Sequence, residues 1–149
     1  MKVIIEMPKG DDRRRHFKFD KTGFIDLGPI KEIIPINNGL MPISYGYIPY
    51  TLNVDEGDEI DVLILSNNIL EVAQEVEVEP IALIVRDDGD NKVVAIDNSI
   101  FDIKEWKDIP ENERELIEQF FSYHHKITAI ENLDITKQYI ENGYKQFVV

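Results

Sequence analysis

Hydrophobic and polar positions alternate through the first two-thirds of the chain in short runs broken by turn residues, and this pattern predicts strands. Val3–Met7 is a short apolar strand. Arg14–Asp20 alternates strictly, with Phe17 and Phe19 on one face and His16 and Lys18 on the other. Asp20-Lys21-Thr22-Gly23 reads as a hairpin turn into Phe24–Leu27. Gly28-Pro29 and Asn37-Asn38-Gly39 punctuate turns around the apolar run Ile30–Ile36. Ile43–Ile48 and Ile60–Leu65 are further strands, and Val76–Val85 is a longer one that Pro80 marks as an edge or a bend. Asp87-Asp88-Gly89-Asp90 predicts a hairpin that returns through Lys92–Ile96.

After Asn98 the period changes to that of a helix. Pro110 sits at a favoured first-turn position with Glu111, Glu113 and Glu115 behind it, and Leu116, Ile117, Phe120 and Phe121 carry helical spacing to about Tyr123. A second helix is predicted from Asp134 to Phe147, with Ile135, Tyr139, Ile140 and Phe147 on one side and Gly143 weakening it. The fold class is therefore mainly β (α+β): a small barrel with two C-terminal helices packed against it. No repeat, linker or low-complexity tract divides residues 1–149, so one domain is expected.

Composition narrows the function classes. Asp and Glu number 29 against 16 Lys and Arg, a net charge of −13, which repels nucleic-acid phosphates and accumulates divalent cations. Cysteine is absent, so disulfides and thiolate metal sites are excluded, and a cytoplasmic location is expected. No apolar run approaches a membrane span, and the first residues meet a charge too early for a signal peptide.

The densest chemistry is Asp55-Glu56-Gly57-Asp58-Glu59-Ile60-Asp61, with five carboxylates in seven residues at the mouth of the strand Val62–Leu65. So much negative charge in one turn calls for a cation, and a hard, oxygen-ligated metal is the usual one. Strand alternation would place Asp58 with Ile60 on one face and Glu59 with Asp61 on the other, so Asp58 and Asp61 share a site only if the chain is still turning between them. The plainer alternative is a solvated acidic turn before a buried strand.

Four segments, in order, resemble the soluble family I inorganic pyrophosphatases. Glu56 to Leu63 is similar to that family's D-G-D-P-x-D-V-L signature, and Met41 to Leu52 to its Y-P-x-N-Y-G-x-I-P-x-T-L segment. Pro80-Ile81-Ala82-Leu83 followed by Asp87 to Lys92 resembles P-I-G-x-L and then D-x-G-E-x-D-x-K. Ile103 to Phe121 resembles the stretch before F-F-x-x-Y-K. The likeness spans about residues 3 to 126. It implies an OB-like β-barrel, magnesium dependence, hydrolysis of pyrophosphate to two phosphates, and a homo-oligomer (hexamer or dimer), with no nucleic-acid or membrane partner.

By that resemblance, Glu56 (or Asp55), Asp61 and Asp90 would hold a first magnesium ion, with Asp61 bridging to a second. Asp58, among these metal acids, would take the proton from the attacking water. Asp87 would help hold a further ion arriving with substrate, and Glu6 would act through metal-bound water. Lys92 and Tyr45 would contact the phosphates and complete the catalytic set with Asp58. Departures lie among the cations. The family's K-[YF]-E strand reads His16-Phe17-Lys18, while an ungapped count from Glu6 puts Arg15 at the lysine. Its D-R pair has no counterpart where Ile30-Lys31-Glu32-Ile33 stands, its Tyr-Pro tyrosine is Met41, and its closing Y-K falls on His124-His125 before Lys126. Lys18 is expected to replace the missing arginine, with His124, His125 or Lys126 replacing the tyrosine–lysine pair. A retuned hydrolase of another small phosphoanhydride, or a non-catalytic metal- or pyrophosphate-binding module, are the alternatives. Simpler roles remain for single residues: Arg13-Arg14-Arg15, Asp11 and Asp12 as surface charge, and the histidines as compensation of a helix dipole.

Overall fold

The computed structural model describes residues 1–17 and 23–147. Seven strands make one sheet in the order β6-β1-β4-β5-β8-β7-β9: β6 (Glu75–Glu77), β1 (Lys2–Met7), β4 (Ser44–Asn53), β5 (Asp58–Leu65), β8 (Lys92–Ile96), β7 (Glu79–Arg86) and β9 (Ile127–Glu131). The two remaining strands, β2 (Arg13–Phe17) and β3 (Phe24–Pro29), form a separate hairpin. All pairings are antiparallel except β5 with β8. The outer strands β6 and β9 do not pair with each other, so the sheet stays open and the barrel expected from the sequence is not closed, although the mainly β (α+β) class holds.

Alternation along β5 sends Leu63 into one apolar core and Ile60, Val62 and Ile64 into a second. Helix α1 (Glu111–Phe121) fills the first with Ile117, Phe120 and Phe121. Helix α2 (Leu133–Gln146) closes the second with Ile140. Its start is set by Asn132, whose side chain accepts from the Ile135 amide at 3.1 Å. Ile135 itself faces solvent, and the buried stripe is Thr136, Ile140 and Gly143. Gly143 is present for packing: a Cβ there would lie 2.2 Å from Ile60 Cδ1.

Two other expectations change. The break in the run Val76–Val85 falls at Val78, while Pro80 enters β7 and produces a register shift against β8 before Ala82. That end of β7 has no partner on its other side, because β9 pairs only from Leu83 onward, so the absent proline N–H is tolerated. Strand β9 follows the histidine segment and was not anticipated between the helices. The hairpin turn at Asp20 to Thr22, together with Lys18 and Phe19, lies outside the described residues. Among the described residues no helix is long and apolar enough to cross a membrane.

Candidate active site

Three irregularities in the strands gather the acids. The β1–β4 register slips between Ile5 and Met7, which turns Glu6 inward, where it is 2 % exposed. The β4–β5 register slips between the pairs Ile48–Ile60 and Asn53–Asp58, where Tyr50 takes a φ of 62°. Thr51 holds this bend, donating to the Ile48 carbonyl at 2.7 Å and accepting from the Ile60 amide at 3.0 Å. The chain is therefore still turning at the start of β5, and Asp58, Glu59 and Asp61 all line one cavity of about 190 Å³ with Glu6, His16, Glu56 and Asp90. The third slip, between Arg14 and Arg15, lets Arg14, Arg15 and His16 share that wall.

The parallel pairing of β5 with β8 sets Lys92 beside Asp61. Its ammonium is buried and donates to Asp61 at 2.7 Å, to Asp90 at 2.9 Å and to the Tyr45 hydroxyl at 2.8 Å. Burial works to lower the Lys92 pKa, but Asp61 and Asp90 outweigh it, the pKa is raised, and the group stays charged. Burial pushes Asp61 up to about 7, with Lys92 pulling the other way. Burial first, then Asp61 and Asp90, also push the Tyr45 phenol well up, so it remains a hydroxyl. Tyr45 is braced by stacking on Phe121 at 6.1 Å.

His16 spans the other acids, its Nδ1 3.5 Å from Glu6 and its Nε2 3.0 Å from Asp58. Its hydrogen bond to Glu6, with Asp58 and Glu59 nearby, raises its pKa to about 9 against the effect of burial. Glu6 also accepts from the Phe17 amide at 3.0 Å. Glu59 is raised to about 8 by burial and by the adjoining Asp58 carboxyl.

A second cavity of about 280 Å³ shares Met7, Arg14, Tyr45 and Asp90 with the first. It is lined by the polar side chains of Arg86, Lys92, His124 and His125 and by the apolar ones of Ile30, Ile33, Ile34 and Met41. His124 Nε2 donates to the Ile33 carbonyl at 2.7 Å. His125 faces Asp87 at 3.3 Å and Asp88 at 3.5 Å. Arg86 meets Asp88 at 3.0 Å. Burial works to raise Asp88, but the Asp90 amide and Arg86 prevail and hold it below its usual range.

Among the described residues, two groups have carboxylate or imidazole atoms within 4.8 Å of one another: Glu56, Asp88 and Asp90, and Asp87, Asp88 and His125. The first offers only oxygens, the donor set that a magnesium-like hard cation takes. Asp88, absent from the expected ligand set, belongs to both groups, while Asp61 is held by Lys92 instead. Asp55 lies outside both cavities and packs on the turn at Gly89, where a Cβ would come 2.5 Å from its Oδ2. Gly89 is needed there, both for that contact and for its φ of 77°.

Among the expected cations, His16 faces the acids. Arg15 reaches the same wall but is tied to Asp11 and lies 5.7 Å from the centre of the Phe24 ring. Asp11 is thus a buried-side partner, not surface charge, and Arg14 lines both cavities instead of standing in solvent. Lys126 is exposed and lines neither cavity. Lys18 lies outside the described residues. Sequence reasoning missed Arg14, Glu59, Arg86 and Asp88. Alternation hid Arg14 and Glu59, because each sits at a register slip; Asp88 was in the right turn beside Asp87; nothing local marks Arg86.

The family model described as inorganic pyrophosphatase matches residues 3–146. The inorganic pyrophosphatase of Saccharolobus solfataricus is 33% identical over 133 residues, covering 84% of this chain and 74% of that one. That of Thermus thermophilus is 32% identical over 135 residues, covering 85% and 73%. Among solved structures, the inorganic pyrophosphatase from Neisseria gonorrhoeae superposes with a TM-score of 0.87 at 23% identity, over 99% of this chain and 90% of that one.

Proposed function

The chain belongs to the inorganic pyrophosphatase family, and we propose that it hydrolyses pyrophosphate to two phosphates with magnesium as cofactor. The observation that carries this reading is the junction of an acidic cavity with a cationic one through Arg14, Tyr45 and Asp90. Metal acids on one side and phosphate-binding groups on the other are what a metal-assisted attack on a phosphoanhydride requires.

Glu56, Asp88 and Asp90 are the oxygens that would hold a divalent cation, with Asp61 beside them. Such an ion, when bound, offsets substrate charge and makes a water more acidic. Asp58 takes the proton at its carboxylate. Its present partners, His16 and the Glu59 amide at 2.9 Å, orient it toward the cavity. Lys92, its three N–H groups engaged by Asp61, Asp90 and Tyr45, supplies positive charge to the lining of the larger cavity, where a phosphate binds beside the protonated Tyr45. Glu6 acts through His16 and the Phe17 amide to fix the β2 wall. A single unit over residues 1–149, acting as a cytoplasmic homo-oligomer, belongs to the same reading.

The test is phosphate release from pyrophosphate with and without magnesium, beside a nucleoside triphosphate. Magnesium-dependent release from pyrophosphate supports the proposal; none under either condition overturns it. The apolar wall of Ile33, Ile34 and Met41 favours one second reading, a phosphoanhydride bearing an organic group. Preferential release from the nucleotide would mark that outcome.

A further inference from the structure

The chain lacks an arginine in the segment Ile30 to Ile33, where its family carries a guanidinium, and Ile33 lines the larger cavity instead. Arg86, the last residue of β7, which no sequence motif singled out, lines the same cavity. Its side chain is 12% exposed, so desolvation has already occurred in the folded protein. One Nη donates to Asp88 at 3.0 Å, while Nε is buried with no hydrogen-bond partner among the described residues. A buried donor without a partner is costly, so the guanidinium is only partly satisfied by the protein where its side chain meets the cavity lining. The backbone beneath is fixed, because the Arg86 amide donates to Asn91 Oδ1 at 3.0 Å across the hairpin.

The geometry points to Arg86 as the substrate-binding guanidinium of this chain, relocated from the segment before β4 to the end of β7, where it grips the phosphate that also meets Arg14, Lys92 and His125. The assignment rests on the pyrophosphatase reading. It follows from shape as much as charge. A planar guanidinium already anchored on one side by Asp88 is preorganised to offer its remaining donors as a fork, which a lysine cannot do. With no arginine in the Ile30 to Ile33 segment, Arg86 at the end of β7 keeps the cavity cationic and sets the grip beside Asp88. A substrate phosphate and two of the acids that would hold metal, Asp88 and Asp90, are then addressed from one turn, residues 86 to 90.

The test uses Arg86→Lys and Arg86→Met in the full chain, with steady-state kinetics on pyrophosphate and calorimetric binding of pyrophosphate in a chelator-containing buffer. Loss of charge-assisted hydrogen bonds weakens binding by about 10- to 100-fold. Arg86→Lys is therefore expected to raise KM about tenfold at wild-type Tm, and Arg86→Met to raise it about 100-fold. A role limited to holding Asp88, a proposed metal acid, would instead act through magnesium and leave pyrophosphate affinity in chelator unmoved, and unchanged calorimetric affinity overturns the assignment. If Arg86→Met does not fold, Arg86→Lys decides alone: an unchanged KM refutes it. If the wild-type protein releases no phosphate, the pyrophosphatase reading fails by itself. The calorimetric arm then still judges Arg86: equal pyrophosphate affinity in wild type and Arg86→Lys overturns the assignment, and about tenfold weaker binding sustains it.

Discussion

Replacing Lys92 with methionine should make thermal stability depend on a divalent cation. The ammonium is 3 % exposed and serves two carboxylates and a phenol at 2.7 to 2.9 Å. Methionine fills the same volume and removes the charge, leaving Asp61 and Asp90 facing each other at 21 % and 25 % exposure. Removing one partner of a fully buried ion pair costs about 3–5 kcal/mol. With the acids about a quarter open to solvent, about 2–4 kcal/mol is the appropriate figure. A chain of this size loses about 2–4 °C of Tm per kcal/mol, so metal-free Lys92→Met should melt roughly 4–16 °C below wild type. Magnesium should restore much of that loss, because a cation that binds only the folded state stabilises it by mass action. Thermal unfolding with chelator and with magnesium measures both quantities. Equal Tm for the two proteins in chelator would refute the claim that Lys92 neutralises this pair.

Asp58→Asn keeps the oxygen that caps the Glu59 amide, so the fold should hold while turnover falls ~10²–10⁴-fold; near-normal turnover would show that Asp58 is not the base. Asp88→Asn should weaken magnesium binding, with activity partly regained at high magnesium, whereas Asp55→Asn should not; equal affinities on titration would dissolve the proposed ligand set. His16 has its pKa raised to about 9 by Glu6, Asp58 and Glu59, so its stabilising contribution is complete below its unfolded pKa of about 6.5. That contribution is lost as pH rises through about 9. Metal-free wild type should thus lose Tm relative to His16→Gln between those values, and an imidazole midpoint below 7 by NMR would contradict this. Gly143→Ala gains about 1 kcal/mol of helix propensity but overpacks Ile60 by about 1–3 kcal/mol. It should be net destabilising, and Ile60→Val should relieve it; a more stable Gly143→Ala would show that the α2 contact is slack.

Periodicity in the sequence determined most of the elements, because side-chain direction repeats every two residues in a strand and every 3.6 in a helix. Lys92–Ile96, the second helix and the hairpin at Asp87 to Asp90 are fixed by such local rules. The acids themselves were equally legible, five carboxylates in seven residues beside an apolar strand, the donor type a hard cation takes. Tertiary structure decided which of them meet. Asp58 and Asp61 share a cavity only because Thr51 holds a bend in the neighbouring strand. Glu6 turns inward at a register slip, and Arg14 escapes alternation at another. No periodic rule reports a slip, because it arises from pairing with a distant strand. The same distance separates Ile33 from Arg86: 53 residues apart in the chain, they line one cavity. Whether an arginine stands at this cavity is therefore a question about space, which the order of residues leaves open and the folded sheet decides by bringing Arg86 to its lining.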